Sequence, residues 1–431
     1  MHASNSSAST RRRCHDDPLA LYGWAFSAFL LASLVGAAAA GELADRYGPG
    51  RPGLIGFAAF GGGLLVAGLA PTWPILLVGR VLQGVGGGAL LSLAYVAVAR
   101  GYPPGLQARV IALLSSAWLI PALVGPVVAG QVAGLVSWRA VFLGLVPVVL
   151  TGALIFVPAA RSLPKGTVTD GVSRIGASVR LAVGAGMLLS SASQPSIVTT
   201  IVLAALGAVL AVPALLEFLP HQTLVFGPGL PAGTALRFLL AFGFFGAEAL
   251  IPLGLTMLRA VPPTVVGIAL SVAAVAWIGA SWLQERVDTH DRGSRRRLRM
   301  YFGLGVLAVG ILGACGAILW SPSPALVTAA AWGVSGFGIG VAYPASTVVA
   351  LNAVDAQQSG NAAASLQIAE TLGTAVGTGV TTALVASAIR LDVTSSGGVV
   401  VAFMTAAAVI LLAFIPALRS SPATRPIPAG Q

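Results

Sequence analysis

Charge is what this 431-residue chain has least of: 9% of its residues are Asp, Glu, Lys or Arg, against about a quarter in soluble proteins. So little charge cannot cover a water-facing surface, which excludes a soluble protein. Cysteine is nearly absent as well. Cys14 in the N-terminal tail and Cys315 in an apolar run exclude a disulfide framework and a thiolate-rich metal site. Four scattered histidines supply no alternative ligand set, and the G-x-x-x-x-G-K-S/T phosphate loop does not occur. The expectation is a non-enzyme without metal or cofactor. Lysine is reduced to Lys165 among 24 basic residues; with so much Ala and Gly, that bias fits a GC-rich bacterial genome.

Apolar sequence is what the chain has in quantity. Residues 181 to 216, 300 to 354 and 393 to 418 contain no Asp, Glu, Lys, Arg or His, and each exceeds the roughly 20 residues that span a bilayer core. Apolar runs bounded by charges or Pro/Gly turns predict thirteen spans, near 19–40, 53–70, 74–99, 108–134, 139–158, 175–193, 196–218, 233–258, 263–284, 300–320, 324–350, 362–389 and 398–417. The chain is expected to be an all-α polytopic membrane protein with no soluble domain. Its expected parts are a polar tail (1–18), an N-terminal bundle of five spans (19–158), a linker with two extra spans (159–232), a C-terminal bundle of six (233–418) and a short tail (419–431).

The formal charge of +11 reflects topology rather than a nucleic-acid partner. If the loop 41–52 is cytoplasmic, the same side receives Arg46, Arg51, Arg100, Arg109, Arg161, Lys165, Arg174, Arg180, Arg237, the cluster from Arg286 to Arg299, Arg419 and Arg425. The other side receives only Arg139, Arg259 and Arg390. Arg11, Arg12 and Arg13 disagree, because thirteen spans place that tail outside. A further helix before residue 1, or a segment that does not cross, would remove the conflict. No cleavable signal peptide is read.

Four motifs carry more than topology. The first loop runs Gly41-Glu42-Leu43-Ala44-Asp45-Arg46-Tyr47-Gly48-Pro49-Gly50-Arg51, with glycines for a tight turn and charges able to cap and pair. In the third span Arg80-Val81-Leu82-Gln83-Gly84 puts a cation inside a membrane helix, which calls for a partner or a cavity unless it snorkels to the interface. The fourth span carries Gly125-Pro126-Val127-Val128-Ala129-Gly130, a bendable, close-packing stretch or an incidental proline kink. Trp138-Arg139-Ala140-Val141-Phe142 follows.

In order and spacing these resemble the G-x-x-x-D-R-x-G-x-R-R, R-x-x-Q-G, G-P-x-x-G-G and W-R-x-x-F motifs of the major facilitator superfamily. Gly50 departs from a usual basic residue, so the loop's contacts should be weaker, and Ala129 replaces a glycine. The extra pair of spans resembles the fourteen-helix drug:proton antiporter branch. Leu21-Tyr22-Gly23-Trp24 looks like the opening of that branch's second helix, so its first has no counterpart here. The resemblance implies two bundles around a central cavity and proton-coupled export of hydrophobic or cationic small molecules by alternating access. It also implies a monomer in a bacterial inner membrane. It assigns Gly41, Asp45, Arg46, Gly48 and Arg51 to a cytoplasmic latch, Gly125, Pro126 and Gly130 to an antiporter hinge, and Arg80 and Gln83 to coupling. An importer or lipid exporter of the same fold, or a non-transporting or degenerate membrane protein, are the alternatives.

Three carboxylates fall in or beside the spans. Glu248, in Phe244-Phe245-Gly246-Ala247-Glu248-Ala249, lies past the middle of its span, where it could exchange a proton and pair with a cationic substrate, or simply pack. Glu370 has the same two readings, and Glu217 reads as a boundary residue. Gly333, Gly336, Gly338 and Gly340 predict close packing, followed by a helix break at Pro344. The run Asp291-Arg292-Gly293-Ser294-Arg295-Arg296-Arg297 faintly echoes the first loop, as a repeat would.

Overall fold

The structure is a computed structural model that describes residues 18–103, 106, 110, 119–165, 174–191, 194, 196–291, 294–320, 324–351, 353–354, 359–390 and 394–420. The readings placed on Arg11 to Arg13, Cys14, Arg109, Arg292 and Arg425 lie outside these residues. In chain order the helices are α1 (Pro18–Tyr47), α2 (Gly50–Gly68), α3 (Trp73–Gly101), α4 (Leu119–Leu135), α5 (Trp138–Gly144), α6 (Val146–Arg161), α7 (Arg174–Ser191), α8 (Ile197–Phe218), α9 (Leu230–Arg259), α10 (Pro263–His290), α11 (Arg296–Leu319), α12 (Ala325–Leu351), α13 (Ser359–Arg390), α14 (Ser395–Leu412) and α15 (Phe414–Arg419). Among the described residues there is no strand. This is the expected all-α fold, and it follows from the bilayer's demand that each backbone polar group be satisfied within its own segment.

Among the described residues, eleven helical spans are long and apolar enough to cross a membrane, with α5–α6 and α14–α15 each counting as one. The other two expected spans fall short for different reasons. For 108–134 only α4, 17 residues long, is described. For 175–193, α7 has 18 residues diluted by Arg174, Arg180 and serines.

Two compact units emerge. The first comprises residues 1–112, 136–208 and 382–398, and the second 113–135, 209–381 and 399–431. In the first, α3 lies against α1 through glycines. A side chain at Gly88 would meet the Ser33 carbonyl at 1.9 Å, and one at Gly84 the Phe29 carbonyl at 2.2 Å. Small residues let helix backbones meet where lipid provides no hydrophobic drive between them.

The second unit is built around α9. In its most apolar window 78% of the residues are buried, against 6% for α5–α6 in the first unit, so α9 is a core helix while α5–α6 turns its apolar surface outward. Phe244, Leu250, Ile251 and Trp332 are among the fully buried side chains there. The glycines of α12 pack as expected: Gly336 and Gly340 abut the Ala273 and Trp277 carbonyls of α10. The expected break at Pro344 is absent, because α12 runs on to Leu351. Proline cannot donate to the Gly340 carbonyl four residues earlier. The Ser281 hydroxyl of α10 donates to it instead, at 3.1 Å, so the helix continues.

Candidate functional site

In the first unit the functional side chains hang on α1 and α3. Arg80, the eighth residue of α3, donates from Nε to the Ala25 carbonyl at 2.6 Å and from Nη1 to Gln83 Oε1 at 2.5 Å. Its guanidinium also lies 4.6 Å from the centre of the Phe29 ring. Gln83, one turn along the same face, is buried and donates to the Gly63 carbonyl of α2 at 3.1 Å. The i, i+3 spacing of the motif thus makes a brace that ties α1, α2 and α3. Arg80 is directed to α1.

At the other end of α1 the loop motif is assembled differently from the sequence reading. Asp45 forms an ion pair with Arg100 near the end of α3, and Arg100 also donates to the Ala44 carbonyl at 3.0 Å. Arg46 and Arg51 are exposed, with no ion pair among the described residues. In the sequence Arg100 reads only as a loop charge; its partner lies 55 residues away, which no local pattern reveals. Gly48 adopts φ +80 and its N–H bonds the Ala44 carbonyl at 3.0 Å, ending α1 in the left-handed cap that glycine favours. Gly41 has open room, with Ser92 Oγ, 3.8 Å from a side chain placed there, the one near atom among the described residues. Gly50, the departure from the motif, sits where a side chain would meet Arg161 Cα at 3.0 Å and Cγ at 2.7 Å. It allows α2 to start against the end of α6. Glu42 Oε1 accepts from the backbone N–H groups of Arg174 at 2.6 Å and Ile175 at 3.3 Å, a carboxylate at the positive end of α7.

In the second unit α4 crosses α10. A side chain at Gly130 would strike the Pro263 carbonyl at 2.6 Å, and one at Gly267 the Pro126 carbonyl at 2.3 Å, whereas Gly125 has nothing within 4 Å among the described residues. Of the hinge candidates, Gly130 and Pro126 are at a helix contact and Gly125 is not.

Glu248 lies on α9, and among the described residues its carboxyl has no hydrogen bond or ion pair. Pro252 sits four residues on and has no N–H to return to the Glu248 carbonyl. The Glu248 carbonyl therefore lacks its usual donor four residues on. One turn back on the same face are Phe244 and Phe245, which stand 5.1 and 6.1 Å from Trp277 of α10, centre to centre. Glu370 of α13 is held: Tyr343 of α12 donates its hydroxyl to Glu370 Oε2. Above the Tyr343 ring, at 3.6 Å, lies the guanidinium of Arg237. The positive-inside count takes Arg237 with the cytoplasmic-side charges, and the structure places its side chain inside a helix bundle rather than in a loop. It is the eighth residue of α9 and only 2% exposed. Neither Arg237 nor Tyr343 was singled out in the sequence, since their partners lie on other helices.

The turn between α10 and α11 also carries paired charges. Asp288 accepts from Arg296 Nε at 2.9 and 3.0 Å and also pairs with Arg299, and Arg299 Nη1 reaches Asp291 at 2.5 Å.

The family model described as Major Facilitator Superfamily matches residues 16–288. The chain belongs to the Major Facilitator Superfamily. Within this superfamily it is similar to a probable multidrug-efflux transporter of Mycobacterium tuberculosis, 28% identical over 416 residues that cover 91% of this chain and 86% of that protein. Multidrug resistance protein 3 of Bacillus subtilis is 29% identical over 127 residues, 30% of this chain and 25% of that one. Among solved structures, a POT family transporter in complex with 5-aminolevulinic acid superposes with a TM-score of 0.67 at 12% identity, covering 93% of this chain and 88% of that one. A D-xylose–proton symporter does so with a TM-score of 0.64 at 16% identity, covering 94% and 89%. These two show the superfamily's fold. The chain is a multi-pass membrane transporter of this superfamily, and no enzymatic activity is indicated.

Proposed function

We propose that this transporter exports hydrophobic or cationic small molecules in exchange for protons, by alternating access, as a monomer in a bacterial inner membrane. The observation that carries this reading is the carboxyl of Glu248 on a core membrane helix, without a partner among the described residues, with its own carbonyl relieved of the donor four residues on by Pro252. An acidic group held inside a membrane without a partner is costly. It is suited to bind a proton in one state and a cation in another. The neighbouring Phe244, Phe245 and Trp277 rings offer apolar surface and ring faces that attract a desolvated cation. The similarity over most of the chain to a multidrug-efflux transporter supports the direction and the substrate class. Arg80 and Gln83 serve this reading as the brace of the first unit, Asp45 with Arg100 as its latch, and Pro126 with Gly130 as its hinge.

The test is uptake of a cationic dye into energised everted vesicles, comparing the chain, Glu248→Gln and empty membranes. The expected result is gradient-driven uptake that falls at least tenfold in Glu248→Gln at equal protein level and disappears when the gradient is collapsed. Uptake that survives Glu248→Gln would remove Glu248 from the coupling step. Transport seen only in right-side-out vesicles would favour an importer.

A further inference from the structure

Arg237 is a charge without a visible balance. Its Nη2 donates to Thr347 Oγ1, whose own hydroxyl is committed to the Tyr343 carbonyl at 2.9 Å. Its Nε and Nη1 are buried and have no hydrogen-bond partner among the described residues. At 2% exposure the side chain cannot reach water by extending along the helix. A buried cation left alone is strongly destabilising, so some negative group must balance it.

The described acidic residues of the second unit can be taken in turn. Glu285 is exposed, and Asp288 and Asp291 are engaged by Arg296 and Arg299. Glu217 has a partner of its own. Glu248 lies eleven residues along α9 from Arg237, about 16 Å at 1.5 Å per residue. That leaves Glu370. Arg237 and Glu370 form no direct ion pair, but both engage Tyr343: the guanidinium lies on its ring face, and the carboxylate accepts its hydroxyl. A ring face attracts the cation while a phenolic hydroxyl donates to the anion. One tyrosine can therefore join opposite charges that never touch.

We propose that Arg237 is the counter-charge of Glu370, linked to it through Tyr343, and that Arg237 and Tyr343 are positioning residues for that carboxylate. The three side chains tie α9, α12 and α13 into one electrostatic element. Any event that neutralises Glu370 leaves Arg237 unbalanced and is felt on α9, the helix that carries Glu248. The proposal rests on the geometry of the second unit and not on the direction or substrate of transport.

The experiment is a double-mutant cycle on the purified full chain in detergent, read as the thermal unfolding midpoint. Arg237→Met should lower the midpoint by roughly 5 to 10 °C. Adding Glu370→Gln to it should recover at least half of that loss, because the pair is then removed together. Tyr343→Phe should cost less, and should cost nothing further in the Glu370→Gln background. A side chain that only filled space would give losses that add. Additive losses, or an Arg237→Met protein as stable as the parent, would overturn the proposal. If Arg237→Met does not fold, the same cycle is run with Arg237→Lys, where a small loss that vanishes with Glu370→Gln supports the link and an additive one refutes it. Because stability is the readout, a chain that transports no dye would count against the export reading and leave this result intact.

Discussion

Arg80 and Arg237 are each the eighth residue of a long membrane helix, yet their surroundings differ in kind. Arg80 spends Nε and Nη1 on a carbonyl of α1 and on Gln83. Its Gln83 partner is itself anchored to α2. Among the described residues, Arg237 leaves the equivalent nitrogens, Nε and Nη1, without a hydrogen bond and reaches a carboxylate through an aromatic ring. The first arrangement is anchored: Nε and Nη1 each have an acceptor fixed by backbone or by the same helix, so the residue braces. The second is open, and its balance depends on a group whose charge can change. The same residue type is structural in one unit and responsive in the other because of its partners, not its depth.

The comparison is most sharply broken at Arg80. If the brace depends on the forked geometry, a point charge cannot replace it, since lysine's single ammonium does not serve Ala25 and Gln83 in the same plane. Arg80→Lys should reduce dye transport about tenfold, the equivalent of losing one charge-assisted hydrogen bond, whereas Arg237→Lys should retain most of it. Equal tolerance of lysine at both positions would mean that charge alone matters and that the two sites do not differ.

What the sequence makes legible follows the range of the interaction. Arg80 and Gln83 could be paired from their spacing, because i and i+3 share a helix face. Glu248 could be singled out from its place in an apolar run. Arg237 could not, since a charge four residues into a predicted span reads as the end of a loop, and only α12 and α13 folding over it reveal the burial. Pro344 failed for a related reason. The rule that proline breaks a helix is local, while the Ser281 hydroxyl that takes over its missing hydrogen bond comes from another helix, 59 residues away.

Gly50 sharpens the contrast between motif and packing. The sequence reading held that losing a basic residue there weakens the loop, so Gly50→Arg should strengthen it. The structure predicts the reverse, because a side chain at this position meets the backbone of Arg161, which is slow to give way. Overpacking of this kind costs about 1–3 kcal/mol. The thermal midpoint of Gly50→Arg should fall by several degrees while Asp45 and Arg100 remain paired. A midpoint that rises would restore the motif reading and show that α6 can move aside.

The smallest effect is expected at Gly125, and it tests whether partners decide the role of a residue within a single motif. Gly130 faces the Pro263 carbonyl at 2.6 Å, while Gly125, one and a half turns earlier on α4, has an open surround among the described residues. An added methyl at Gly130 must push α10 away, whereas at Gly125 it meets nothing and also lowers the conformational freedom of the unfolded chain. Gly130→Ala should therefore slow dye transport severalfold and lower the midpoint, and Gly125→Ala should leave both within about twofold and a degree or two. Loss of transport in Gly125→Ala with an unchanged midpoint would show that α4 closes on another surface during the transport cycle. The glycine would then be reserved for a contact made in a different state, as the free nitrogens of Arg237 are reserved for a change at Glu370.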